Sequence, residues 1–162
     1  ALSLSEAAEN ALWQVNYQAP IRLMWQIVER NRKIRLVQLS SLAALCPHPY
    51  LAAYSASKAA LQAYCLALQE ELRLKCPEVK VCLYILGPVR TAIFPPELQD
   101  ALGGGQLQMS PEIAARRIIR LLQQGRSYAI VGKRYRLLAW LMKLLPQRWI
   151  IRWIGAYLRQ GL

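Results

Sequence analysis

The fold of this chain is decided by residues 39–61, which read LSSLAALCPHPYLAAYSASKAAL. A short apolar run, Ile34 to Leu39, leads into this stretch and predicts a buried strand that ends at Ser41. After a loop around His48, the residues from about Tyr54 to Lys75 predict a helix, because leucine and cysteine side chains recur along one helical face. A strand, a loop and a helix therefore follow one another here.

Helices and strands continue to alternate on either side of this stretch. Upstream, the apolar spacing predicts a helix that ends near Arg30 and that is kinked or broken at Pro20. Directly downstream, Val79 to Leu86 predicts a second strand. Such alternation is typical of an α/β fold in which helices cover both faces of a parallel sheet.

The last third of the chain repeats the pattern after a long connection. Residues Thr91 to Met109 predict a loop, and we interpret its Gly103-Gly104-Gly105 run as a flexible lid over a substrate. Ser110 predicts the N-cap of a further helix with a proline at its first position, and Gly125 predicts its end. Residues Ser127 to Val131 predict a third strand.

Charge and cysteine usage narrow the function classes. Residues 1–110 carry 10 basic and 8 acidic side chains, whereas residues 111–162 carry 11 and 1, so +10 of the net charge of +12 belongs to the last third. The 4 cysteines form no CxxC pair, and His48 is the single histidine, which argues against a zinc site and a disulfide framework. We expect reduced thiols, no metal and a cytoplasmic setting.

Tyr54 and Lys58 give the strongest chemical signal. They stand four residues apart and share one helical face. A tyrosine hydroxyl has a pKa of about 10, and we expect the lysine and the helix N-terminus to lower the pKa of Tyr54, so that it serves as a general acid or base. Ser41 ends a strand, where α/β sheets place ligands, and can hold a substrate oxygen. The alternative is three unrelated surface side chains.

Three segments resemble those of the short-chain dehydrogenase/reductase family. Residues 39–61 are similar to its active-site segment, and Asn16 in WQVNYQAP stands where the family has an active-site asparagine. ILGPVRT at residues 85–91 is similar to the family's strand end beside the nicotinamide, although Leu86 replaces the usual proline. The resemblance covers roughly residues 12–131 and implies a Rossmann-like, doubly wound parallel sheet, of which this chain holds the C-terminal half.

The resemblance implies a role for each matched catalytic residue. Tyr54 would exchange a proton with an alcohol or carbonyl oxygen, and Ser41 would hydrogen-bond that oxygen. Lys58 would bind ribose hydroxyls and lower the pKa of Tyr54. Asn16 would support a chain of water molecules that reaches the lysine.

The resemblance also implies NAD or NADP as the cofactor. Gly87, Val89 and Thr91 would line its nicotinamide, with Tyr54 and Lys58 as further cofactor-binding residues. The family's glycine-rich pyrophosphate turn has no match in this sequence. We therefore interpret residues 1–132 as the C-terminal part of a dinucleotide-binding domain and expect weak dinucleotide binding by this chain alone.

Residues 133–162 form a basic, tryptophan-rich tail that reads KRYRLLAWLMKLLPQRWIIRWIGAYLRQGL. Basic residues and a proline interrupt its apolar runs, so it lacks the span of about 20 apolar residues that a membrane-crossing helix needs. Tryptophan and leucine mixed with arginine and lysine are typical of an amphipathic helix on an anionic membrane surface. Packing over the substrate pocket is an equal alternative. Nucleic-acid binding ranks lowest because the segment is too apolar.

Two functions of different classes remain open. The first is an NAD(P)-dependent oxidoreductase that interconverts an alcohol and a ketone or aldehyde, with a hydrophobic substrate inferred from the apolar tail. A homo-oligomer is the family's default, and peripheral membrane contact through residues 133–162 would accompany it. The second is a catalytically inactive remnant of the family that serves as an interaction or membrane-surface module.

Overall fold

Three parallel strands form one sheet, in the order β1-β2-β3, in this computed structural model, which describes residues 4–30, 33–91 and 108–161. The strands are β1 (Ile34–Ser41), β2 (Val79–Leu86) and β3 (Tyr128–Val131). The helices are α1 (Glu6–Trp13), α2 (Ala19–Arg30), α3 (Ala52–Lys75), α4 (Pro111–Gln123), α5 (Lys133–Leu144) and α6 (Gln147–Gly161). The α/β prediction is confirmed, whereas the lid predicted at Gly103-Gly104-Gly105 lies outside the described residues.

Strand β2 is the centre of this sheet and is buried on both faces. It pairs with β1 along its whole length and with β3 over its C-terminal half. Val79, Val81 and Leu83 pack with side chains of α2 and α3, while Cys82 and Tyr84 belong to a second cluster with side chains of α4 and α5. Burial on both faces explains why the strand is apolar throughout from Val81 to Leu86, while the charged Lys80 near its start is exposed.

A π-helical turn at Gln14–Gln18 joins α1 to α2, and the helix is not broken at Pro20. The N–H of Ala19 donates to the carbonyl of Gln14, five residues back. Pro20 has no N–H, so the carbonyl of Asn16 lacks the donor that a regular α-helix would give it. The wider turn absorbs this missing hydrogen bond while the helix continues to Arg30. Turns of this type are frequent at functional sites.

The predicted ends of α4 are confirmed. The Oγ of Ser110 accepts the N–H of Ile113 at 3.3 Å, and Pro111 occupies the first turn. Gly125 follows the helix with a φ of +70°, a left-handed conformation that glycine adopts at little cost. This end returns the chain to the sheet as β3.

The tail folds as two helices that pack against the rest of the chain. Tyr135 and Ala139 of α5 belong to the core cluster beside β2. Buried side chains of α6, among them Ile154 and Leu158, pack on Cys46 in the connection between β1 and α3. None of the helices in the described part of the chain has the length and apolarity needed to cross a bilayer.

Candidate active site

The connection from β1 to α3 brings Ser41 and Tyr54 to one cavity. Ser41 is the last residue of β1, and its Oγ accepts the N–H of Ala43 at 3.2 Å. Tyr54 lies in the first turn of α3 and is hydrogen-bonded to the Ser41 side chain. The twelve residues between the two in the sequence therefore fold into a connection that brings its ends together at the carboxyl end of the sheet.

Lys58 follows Tyr54 by one helical turn, as the spacing predicts. Its Nζ lies 5.9 Å from the centroid of the Tyr54 ring and donates to the carbonyl of Leu39 at 3.3 Å. In return, the Oγ of Ser40 donates to the backbone carbonyl of Lys58 at 3.2 Å. These two hydrogen bonds tie the start of α3 to the end of β1 and so fix Tyr54 relative to Ser41.

Burial raises the pKa of Tyr54, and the prediction that its pKa is lowered is wrong for this structure. The hydrogen bond with Ser41 lowers the pKa but offsets burial only in part. The Lys58 ammonium lies over the Tyr54 ring and donates a hydrogen bond to the Leu39 carbonyl. Burial lowers the pKa of Lys58. Tyr54 is therefore protonated at neutral pH, which is the form that donates a proton to a carbonyl oxygen.

Asn16 lies in the π-helical turn and contacts the Tyr54 turn through Ser57. Its Nδ2 donates to the Oγ of Ser57 at 3.2 Å, and that hydroxyl donates to the backbone carbonyl of Tyr54 at 2.8 Å. Ser57 is fully buried, and Asn16 does not line the cavity. The structure thus brings Ser41, Tyr54 and Lys58 to the cavity and places Asn16 behind them.

The segment that follows β2 forms another wall of the same cavity. The residues that the sequence predicts beside a nicotinamide all line it: Gly87, Val89 and Thr91. The segment is held by Met109, whose N–H donates to the Pro88 carbonyl and whose carbonyl accepts the N–H of Arg90, each at 2.9 Å. Both predicted groups of site residues, apart from Asn16, therefore face one space.

The cavity is large and mostly apolar. Its volume of about 1130 Å³ exceeds the roughly 300–1000 Å³ of ordinary small-molecule sites. It extends from the ends of β1 and β2 to α4, α5 and α6, whose lining side chains are mainly leucine, isoleucine and tryptophan. A polar end at the sheet thus continues into an apolar end at the tail.

His48 and Tyr135 also line the cavity, although the sequence did not indicate them as site residues. The Nδ1 of His48 lies 2.8 Å from the carbonyl of Cys46, and burial lowers the pKa of this histidine, so the neutral ring carries its proton on Nδ1. Its position between Ser41 and Tyr54 in the sequence is a signal that could have found it. Tyr135 comes from the tail, and no local pattern points to it.

Comparison with known proteins decides the family. The model of the short chain dehydrogenase family matches residues 1–101. The chain belongs to the short-chain dehydrogenase family. A hydroxysteroid 11-beta-dehydrogenase 1-like protein from Xenopus tropicalis is 32% identical to it over 93 residues, which cover 56% of this chain and 32% of the relative. The resemblance seen in the sequence is confirmed.

Solved structures of short-chain dehydrogenases share this fold. One from Burkholderia phymatum, in complex with NAD, has a TM-score of 0.71 and 20% identity, and the match covers 88% of this chain and 59% of that one. Another from Burkholderia cenocepacia, in complex with NADP, has a TM-score of 0.69 and 21% identity, and the match covers 86% of this chain and 56% of that one. The Rossmann-like fold is confirmed, and the chain spans little more than half the length of these dehydrogenases.

Proposed function

We propose that the natural protein containing this chain is an NAD(P)-dependent oxidoreductase that interconverts an alcohol and a ketone or aldehyde. One observation carries the proposal: Ser41, Tyr54 and Lys58 line the same cavity as Gly87 and Val89. The NAD and NADP complexes of the related dehydrogenases support the choice of cofactor.

The residues that line the cavity fit a nicotinamide beside a substrate. Its volume leaves room for both, and its polar groups lie at the carboxyl ends of parallel strands, where such folds bind nucleotides. Lys58 would hold ribose hydroxyls, and Gly87, Val89 and Thr91 would line the nicotinamide. The bound cofactor supplies the hydride donor or acceptor, and the protein supplies position and proton transfer.

Tyr54 moves the proton in this proposal. Protonated at neutral pH, it donates to the substrate carbonyl oxygen during reduction, while Ser41 hydrogen-bonds the same oxygen. During oxidation Tyr54 must first lose its proton, so oxidation becomes faster as the pH increases, and the raised pKa of Tyr54 moves this increase to higher pH. Asn16 supports the backbone of Tyr54 through Ser57. We propose that it also orders water leading to Lys58.

Tyr54→Phe in the full-length protein tests this role. General acid catalysis accelerates a reaction about 10²- to 10⁴-fold, so we expect turnover of hydrophobic alcohols or ketones with NAD(P) to fall by that factor. The dissociation constants of NADH and NADPH should change far less than turnover, because Lys58 and the segment from Gly87 to Thr91 keep their contacts with the cofactor. Tyr128→Phe, on the edge strand outside the cavity, is the matched control. Undiminished turnover in Tyr54→Phe would refute the assigned role.

The second candidate is a catalytically inactive remnant. The pairing of Ser41 with Tyr54 and the open, apolar cavity both argue against it, because a remnant has no need to keep a hydrogen-bonded site on a cavity wall. It predicts that the full-length wild-type protein binds neither NADH nor NADPH. Calorimetric titration of both nucleotides distinguishes the two candidates.

We propose that the substrate is hydrophobic and that residues 1–132 are the C-terminal part of the dinucleotide-binding domain. The apolar cavity wall from α4 to α6 supports the first point. The chain's share of its relatives' length supports the second. Under this proposal, the pyrophosphate would bind residues outside this sequence. We also propose a homo-oligomer, the family's default, which light scattering on the full-length protein would test.

We further propose that the tail contacts an anionic membrane surface. Trp149 and Trp153 of α6 are 69% and 70% exposed, and Trp140 of α5 is 57% exposed. Residues 133–161 contain 7 basic and no acidic side chains. Exposed tryptophans beside uncompensated positive charge suit the interface between headgroups and acyl chains. Membrane contact and lining of the cavity are compatible, because Trp149 and Trp153 line the cavity and are largely exposed at the same time.

Vesicle flotation tests the membrane contact. The full-length protein should float with vesicles of phosphatidylcholine and phosphatidylserine and float less with phosphatidylcholine alone. A Trp149→Ala/Trp153→Ala variant should lose most of this binding. Trp25→Ala removes an exposed tryptophan from α2 and should bind as the wild type does. Equal binding by both tryptophan variants would contradict the proposal.

A further inference from the structure

Tyr135 of α5 lies directly against Gly87 at the end of β2. A Cβ on Gly87 would stand 2.5 Å from Cδ1 and Cε1 of the Tyr135 ring and 2.6 Å from Cγ. Real Cβ atoms essentially never come so close to another atom. The ring therefore occupies the space that a side chain at position 87 would need, and packing is the reason that this position requires glycine.

The sheet topology explains how a tail residue reaches this point. Leu86 and Val131, the last residues of β2 and β3, are partners in the parallel register. Gly132 then turns the chain into α5 with a φ of +105°, which places Tyr135 in the first turn of the helix. Tyr135 is only 3% exposed, so neighbouring atoms enclose its ring.

Met109 and Tyr135 both contact the segment that follows β2, residues 87–91. Met109 binds it through the backbone at Pro88 and Arg90. On the tail side, the Tyr135 hydroxyl lies 3.5 Å from the Pro88 carbonyl, which is too long for a strong hydrogen bond. On the tail side, the contact of the ring face with Gly87 therefore restrains the segment more than the contact of the hydroxyl with Pro88 does.

We propose that Tyr135 is a positioning residue that fixes the backbone of Gly87 to Val89 and thereby sets the affinity for the nicotinamide end of the dinucleotide. It rests on the proposed function in one respect, the assignment of this segment to the nicotinamide wall. Tyr135 acts through the backbone and takes no part in proton transfer. The tail is thus a structural part of the cofactor site.

Tyr135→Leu in the full-length protein is the first test. The smaller side chain leaves space over Gly87, and displacements of about 1 Å are costly at such sites. We expect the dissociation constants of NADH and NADPH to rise about tenfold, and amide hydrogen exchange in residues 87–91 of the cofactor-free protein to become faster. Tyr135→Phe keeps the ring and should change neither quantity by more than about twofold.

Two control variants separate positioning from loss of stability. Trp140→Ala shortens an aromatic side chain of the same helix that is exposed and does not line the cavity. Leu61→Ala destabilises the core on the other face of the sheet. Both should leave the dissociation constants and the exchange of residues 87–91 unchanged. Changes in Leu61→Ala equal to those in Tyr135→Leu would overturn the proposal.

Gly87→Ala keeps Tyr135 and serves if Tyr135→Leu does not fold. The new methyl group must push the segment and the ring apart, so exchange should become faster in residues 87–91 and in residues 133–137 together. Adding Tyr135→Ala removes the overlap, and the double variant should bind dinucleotide more tightly than Gly87→Ala alone. Additive losses, or unchanged exchange in residues 133–137, would overturn the proposal. A wild-type protein that binds no dinucleotide would refute the proposed function, while the exchange data would still decide the role of Tyr135.

Discussion

The sheet end and the tail border the same cavity but are built in opposite ways. At the sheet end, polar side chains are paired with one another or with the backbone, as in the links from Ser40 to Lys58 and from Asn16 to Ser57. In the tail, large apolar side chains such as Trp153 face outward beside positive charge. Internal hydrogen bonds thus fix the side chains of the candidate site, whereas the outer surface of the tail combines exposed apolar side chains with positive charge.

Leu83→Ala, in the sheet, should cause the largest loss in the free energy of unfolding. Leu83 is fully buried in the central strand, and truncation of such a side chain costs about 2–5 kcal/mol of the free energy of unfolding. Leu74→Ala, on an exposed position of α3, is the matched control and should cost less than about 0.5 kcal/mol. Urea denaturation of the full-length protein measures both. Similar losses in the two variants would contradict the described core.

Ser41→Ala should lower activity about 10- to 100-fold, because a hydrogen bond to a group that carries developing charge contributes about 1.5–3 kcal/mol. It should also shift the pH profile. Since the hydrogen bond with Ser41 lowers the pKa of Tyr54, its removal raises that pKa, and the increase of oxidation with pH moves to higher pH. Initial rates across the alkaline range test this. A shift to lower pH would be the wrong sign.

Ionisation of Tyr84 should make the protein less stable at alkaline pH. Burial raises its pKa to about 12, and its hydroxyl donates to the carbonyl of Arg126 at 2.8 Å. The folded state therefore keeps a proton that the unfolded state loses near pH 10. The free energy of unfolding should fall as the pH rises from about 10 towards 12. Tyr84→Phe should be less stable at neutral pH but show a shallower decline, and an equal decline would exclude Tyr84 as the cause.

Trp153→Ala should have the smallest effect on stability. Its side chain is 70% exposed, so we expect the free energy of unfolding to change by less than about 0.5 kcal/mol. The neighbouring Ile154 is 8% exposed, and Ile154→Ala should cost about 2 kcal/mol or more. Thermal unfolding of the two variants provides the comparison. A large loss in Trp153→Ala would show that the outer tail surface is part of the core.

Local patterns in the sequence were enough for the order of strands and helices and for most of the site. The apolar run at Val79–Leu86, the cap at Ser110 and the spacing of Tyr54 and Lys58 each depend on neighbours in the chain. The three residues expected beside the nicotinamide follow a strand end, and the fold brings that end to the same cavity.

Features that depend on distant neighbours could not be predicted. The pKa of Tyr54 is raised because the folded chain buries it, and burial is a property of packing rather than of the four-residue spacing to Lys58. The contact between Tyr135 and Gly87 joins two strand ends that meet only in the sheet. At Pro20 a kink or break was predicted, but the π-helical turn with which the helix continues past Pro20 was not.

The pairing of β1 has a consequence for the tendency of this chain to aggregate. Among the described residues the 8-residue strand β1 has a single strand neighbour, β2, so within them no strand pairs with its other edge. Unprotected edges of this length recruit foreign strands and lead to aggregation. A strand from the same natural protein would compete with strands of other molecules for this edge, and its high effective concentration would favour it. A segment of the natural protein that supplies such a strand would therefore protect the sheet from aggregation.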